Sequence, residues 1–133
     1  KGNVFLSVRD ADKPNLIDIA RNLIKLGFSI VATRGTGNML KQASLAVKIV
    51  NKVQEGRPHI VDLIKNDEAA MIINTTEGRR AIMDSASIRA SAEQHKVFYT
   101  TTLAAAEAVC MALEQETDIT VRRLQDLHES IAV

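Results

Sequence analysis

Ala69-Ala70-Met71-Ile72-Ile73 is an unbroken apolar run with polar turns on both sides. That is the pattern of a strand buried on both faces of a parallel sheet. Helices must then cover both sides of the sheet. Four other short, β-rich runs recur along the chain: Asn3–Val8, Phe28–Ala32, Val47–Val50 and Val97–Tyr99. Between them the apolar spacing becomes helical. Leu16, Ile17, Ile19, Ala20, Leu23, Ile24 and Leu26 follow Pro14 at helical intervals and stop at Gly27. Asp10 to Asp12 offer capping groups ahead of that helix. Thr33 to Gly37 reads as a polar turn into a short helix near Asn38–Ala43. Further helices are expected over Ile60–Lys65, Ser85–Gln94, Thr102–Leu113 and Leu124–Ile131, with loops at Gln54–Pro58 and Asn74–Gly78. The alternation of strands and helices defines βαβ units with right-handed crossovers. The expected fold is one three-layer α/β/α domain.

The 133 residues suit a single domain, and 46% apolar with 25% charged residues excludes wholesale disorder. Seventeen basic against 16 acidic residues leave a net charge of +1, with no basic stripe for nucleic acid or an anionic membrane. Aromatic residues, at 3%, are too few for a base-stacking platform. The single cysteine, Cys110, lies among apolar neighbours and reads as a buried structural thiol, which fits a reducing cytoplasm. No run approaches the roughly 20 apolar residues that span a bilayer. The chain starts at Lys1 rather than methionine, which suggests a piece of a longer protein.

In an open parallel sheet, ligands collect at the carboxyl ends of the strands. Those ends carry Ser7, Arg9 and Lys13, then Thr33, Gly35, Thr36 and Gly37, then Lys52, then Asn74, Thr75 and Thr76. Hydroxyls, an amide and two ammonium groups beside helix N-termini suit a phosphate. Turn and cap preferences alone would place Thr, Asn or Gly in any one of these loops. Four such loops converging on one sheet edge favour the anion site. Gly35-Thr36-Gly37 follows the second strand and lacks a third glycine, so it is a poor dinucleotide fingerprint. His59, His95 and His128 lie on separate elements without metal-ligand spacing, and no metal is expected. No nucleophile–base arrangement stands out. Arg79-Arg80 reads either as an anion clamp or as a solvated or structural pair.

Several motifs occur in order: Leu6-Ser7-Val8-Arg9, Ala32-Thr33-Arg34-Gly35-Thr36, Val50-Asn51-Lys52-Val53, Glu55-Gly56-Arg57-Pro58-His59-Ile60, Ile72-Ile73-Asn74-Thr75-Thr76 and Gly78-Arg79-Arg80. Together, from about Val4 to about Met111, they resemble the C-terminal regulatory domain of bacterial-type carbamoyl phosphate synthase large subunits, of the methylglyoxal-synthase-like group. The resemblance implies a five-stranded parallel sheet in order 3-2-1-4-5. It implies a phosphate pocket of Lys13, Thr33, Thr36, Lys52, Asn74, Thr75 and Thr76 for the effectors UMP and IMP. Ser7, Val53, Asp84 and Ser85 would lie toward ribose and base. Thr101 would contribute to an ornithine site at a domain boundary. The partners implied are the rest of the large subunit and a glutaminase small subunit. No cofactor is implied in the domain itself; the parent enzyme uses ATP, magnesium or manganese, and potassium. Arg34 and Glu77 depart from the family pattern and bear on effector preference.

The alternative is a methylglyoxal synthase-type lyase acting on dihydroxyacetone phosphate. That chemistry needs a carboxylate base beside the substrate carbonyl. The synthases carry it after a Gly-Pro-Met-Gly-Gly-Asp loop, whereas Gly56-Arg57-Pro58-His59-Ile60 has no aspartate there. Asp62 reads as a solvated helix carboxylate. The expectation is therefore an effector-binding domain without catalysis of its own.

Overall fold

The computed structural model describes residues 2–52, 56 and 59–116. Five parallel strands, β1 (Asn3–Ser7), β2 (Ser29–Thr33), β3 (Val47–Val50), β4 (Ala69–Asn74) and β5 (Phe98–Thr100), form one sheet in the order β3-β2-β1-β4-β5. The helices are α1 (Lys13–Lys25), α2 (Arg34–Gln42), α3 (Ile60–Lys65), α4 (Arg79–Asp84) and α5 (Ala86–Gln94), followed by α6 over 103–116. The chain winds outward from β1 through β2 to β3, then returns to β4 on the other side of β1. The switch point therefore lies between β1 and β4, where Ser7 pairs in register with Asn74.

Strand alternation divides the core in two. Val4 and Leu6 of β1, Ile30 and Ala32 of β2, and Met71 and Ile73 of β4 pack with α1, α2 and α6 through Leu16, Leu23, Leu40 and Ala106. Phe5, Val31, Val50 and Ile72 point the other way, against Ile60 and Ile64 of α3 and Ile88 and Ala92 of α5. Each fully buried Leu or Ile contributes about 1.5–3 kcal/mol through surface removed from water. The continuous apolar run of β4 is thus explained by burial on both faces.

Three local expectations are corrected. Thr33 to Gly37 is no turn: Thr33 is the extended residue ending β2, and α2 begins at once with Arg34. Gly37 suits its place because the helix lies close on the sheet there, where a Cβ would stand 2.9 Å from Ile49 Cγ1. Asp10 to Asp12 form a short 3-10 turn, and the N-cap residue Asp12 makes no side-chain cap bond to α1, because these carboxylates are engaged by basic neighbours instead. Helix α4 was not expected from the sequence. Its Ile82 and Met83 are exposed, so neither marks a core-facing stripe that would announce it. The expected helix over Leu124–Ile131 lies outside the described residues, as does most of the Gln54–Pro58 loop. Gly27 ends α1 at φ 100°, a conformation that suits glycine.

Candidate functional site

A cleft of about 620 Å³ opens at the carboxyl edge of the sheet, over the switch point. It is lined by all seven expected phosphate residues: Lys13, Thr33, Thr36, Lys52, Asn74, Thr75 and Thr76. Ser7 and Ser85, assigned to the sugar side, line it too. The remaining assignments fall elsewhere: Val53 lies outside the described residues, as does the side chain of Asp84. Thr101 is exposed just beyond β5 and does not line the cleft. Arg34 and Arg79 are also exposed and away from it.

The floor of the cleft is polar yet buried: Thr33, Thr36, Asn74 and Thr75 are each exposed by 6% or less. Buried hydroxyls need partners, and these have them. The Val8 N–H donates to Thr36 Oγ1 (3.1 Å), the Arg9 N–H to Thr75 Oγ1 (2.9 Å), and Thr33 Oγ1 to Ser7 Oγ (3.0 Å). These bonds sew the β1 end to α2 and to the β4 end. Thr36 and Ser7 accept in them, which leaves their hydroxyl hydrogens for a ligand. The Thr75 hydroxyl is committed to Asp12 as well. Thr33 makes no side-chain cap bond to α2, so the first-turn amides of that helix remain for an anion.

Charge is placed in pairs. The Lys13 ammonium bonds the carboxylate of Asp10, and the Arg9 guanidinium bonds that of Asp12 at 2.8 Å. Lys13, with Lys52 as a smaller influence, holds the Asp10 carboxyl below its ordinary value of 3.8. Arg9 does the same for Asp12, and Asp12 with Glu77 raises Arg9. Asp10, a cap candidate by sequence, instead lines the cleft and holds Lys13. Its position directly after β1 was the available signal. Asn51, which the sequence offers only as part of the Val50–Val53 motif directly after β3, also lines the cleft, while Tyr99 bonds one of its residues and nothing in the sequence pattern marks it.

Asp62 is not a solvated carboxylate. Its side chain is only 22% exposed, and Oδ2 accepts the His59 N–H at 3.2 Å, capping α3. Among the described residues, no group of three or more His, Cys, Asp or Glu is placed to hold a metal ion. None of the described helices is long and apolar enough to cross a membrane.

A doubly wound five-stranded sheet with a small anion-suited cleft at its switch point is the class of domain these features define. The chain belongs to the MGS-like domain family, whose model matches residues 15–101. Across 130 residues it is 59% identical to the carbamoyl phosphate synthase large chain of Pseudomonas putida. Across 128 residues it is 62% identical to that of Halomonas eurihalina. These alignments take in 98% and 96% of this chain but 12% of either relative, so the chain spans about an eighth of their length. Among solved structures, methylglyoxal synthase from Elizabethkingia anophelis NUHP1 superimposes with a TM-score of 0.67 at 17% identity, covering 83% of this chain and 77% of that one. ForH gives 0.63 at 18%, covering 86% and 80%. At these identities the superpositions establish a shared fold, and the sheet has the order that the family resemblance implies.

Proposed function

We propose that this domain is the effector-binding module of a carbamoyl phosphate synthase large chain, taking the phosphate of UMP or IMP in the switch-point cleft. The observation that carries the reading is the convergence of two lysines, uncapped helix amides and the Thr36 and Ser7 hydroxyls on one cleft. High identity to the synthase large chains supports the parent protein. Regulation would follow from linkage: the nucleotide shifts activity only by binding two arrangements of the whole protein unequally, with coupling of about 1–3 kcal/mol. Ornithine would act from a separate boundary site to which Thr101 contributes, together with residues beyond this chain. Thr101→Ala should then blunt ornithine activation in the intact synthase and spare UMP inhibition.

The test is a calorimetric titration of the chain with UMP, then IMP. Saturable binding that weakens in Lys13→Ala supports the pocket; unchanged affinity in the folded variant refutes it. Thr36→Ala is the poorer probe, because it also leaves the buried Val8 N–H without its acceptor. The lyase reading has less support. Of the carboxylates lining the cleft, Asp10 is bound to Lys13 and held ionised to low pH, which makes it a weak base. Incubation with dihydroxyacetone phosphate should release no methylglyoxal.

A further inference from the structure

Asn74 is the buried amide at the centre of the cleft floor, 4% exposed. Both of its Nδ2 hydrogens are used, one by Ser85 Oγ at 2.9 Å and one by Tyr99 Oη at 3.0 Å. The two acceptors come from different places: Ser85 stands at the N-cap of α5, and Tyr99 on the edge strand β5. Tyr99 pairs in register with Ile72, two residues before Asn74, so the phenol and the amide share one face of the sheet. Behind it, the Arg89 guanidinium of α5 lies 5.3 Å from the centre of the Tyr99 ring. Two hydroxyls on one nitrogen fix the plane of the carboxamide. Without them, the last torsion of a side-chain amide is broad and roughly two-fold, so the carboxamide plane is poorly defined.

We propose that Tyr99 is a positioning residue of the cleft: with both Nδ2 hydrogens taken by Ser85 and Tyr99, it fixes the Asn74 carboxamide so that Oδ1 is the group left to accept from a donor of the bound nucleotide, a ribose hydroxyl or a base N–H, rather than to meet its phosphate. This rests on the reading of the cleft as a nucleotide phosphate site. Tyr99 does not line the cleft and acts only through Asn74. It also joins the switch point to β5, so the outermost strand on that side contributes to ligand geometry.

Tyr99→Phe removes the hydroxyl and keeps the ring beneath Arg89. UMP affinity should fall about three- to tenfold, the contribution of one neutral hydrogen bond. In an Asn74→Ala background the same substitution should have no further effect. Equal affinity of Tyr99→Phe and the parent chain overturns the proposal. So does an effect that persists undiminished in Asn74→Ala, since Tyr99 would then act by another route. The Asn74 side-chain amide, followed by NMR hydrogen exchange, supplies a readout without ligand. Exchange should be slow in the parent chain and faster in Tyr99→Phe. If UMP fails to bind the parent chain, the nucleotide reading fails, and this exchange decides the role of Tyr99. An unchanged rate overturns it, whereas acceleration sustains the positioning of Asn74.

Discussion

Two glycines two positions apart in α2, Gly35 and Gly37, should respond to the same substitution in opposite ways. A Cβ at Gly37 would stand 2.9 Å from Ile49 Cγ1, 3.4 Å from Ile49 Cδ1 and 3.6 Å from Ala32 Cβ. The first distance is shorter than real Cβ contacts, and the atom in the way is Cγ1 of half-buried Ile49 on β3 rather than the free end of a long side chain. Overpacking of this kind costs about 1–3 kcal/mol. Replacing a helical glycine returns about 1 kcal/mol or slightly less. Gly37→Ala should therefore destabilise by up to about 2 kcal/mol, or as much as about 7 °C in Tm for a chain of this length. Molecules that remain folded should bind UMP normally. At Gly35 the added Cβ meets only Lys13 Nζ, at 3.3 Å, the far end of a flexible side chain. Stability should hold or rise. The displaced ammonium should lose about 1 kcal/mol of a charge-assisted bond, a fall of about fivefold in UMP affinity. Differential scanning calorimetry and titration calorimetry on both variants read the two effects separately. A Gly37→Ala chain that melts above the parent temperature refutes the packing argument. A Gly35→Ala chain with intact affinity, where Lys13→Ala has lost it, refutes the placement of the ammonium.

Asp10 is 92% exposed and competes with any phosphate for Lys13, so Asp10→Asn should tighten UMP binding, by about twofold given the screening of an exposed pair; a weaker complex would mean that Asp10 holds Lys13 in place for the ligand. The Asp10 and Asp12 carboxyls are depressed when folded, so their contribution to stability is complete above the ordinary value of 3.8 and is lost as pH falls through the folded values. Thermal melts should show a drop below about pH 4 that shrinks in the Asp10→Asn/Asp12→Asn double variant, and an identical drop in both chains would remove these pairs from the acid response. Cys110 is 3% exposed, and burial together with Glu114 and Glu107 raises its thiol pKa. The native chain should resist an aromatic disulfide reagent at pH 8 and react fully in denaturant; rapid stoichiometric labelling of the native form would contradict the burial.

What the sequence made legible was whatever depends on near neighbours. Burial on both faces shows in the Ala69–Ile73 run because each residue reports its own surroundings, and the five strands with their crossovers follow from such runs. The cleft residues were legible for a related reason: the carboxyl ends of parallel strands are sequence positions, and the fold gathers them at one edge. Contacts across the sheet left no such mark. Tyr99 reads as one more residue of an apolar strand, and only the register of β4 with β5 brings its hydroxyl to Asn74, 25 residues away in the chain. Asp10 and Asp12 have the composition of helix caps, and only the approach of Lys13 and Arg9 turns them into ion pairs. Gly35 and Gly37 illustrate the same conflict in the backbone. Their composition signals a turn, yet α2 runs through both, and at Gly37 its tight seat against Ile49 leaves no room for a Cβ. Local composition therefore located the cleft, while the geometry of its charged and amide groups came from tertiary pairing. On the proposed reading effector preference follows that pairing, so substitutions at Asp10, at Glu77 and of the Tyr99 hydroxyl should move it more than substitutions of the apolar strand residues that hold the cleft together.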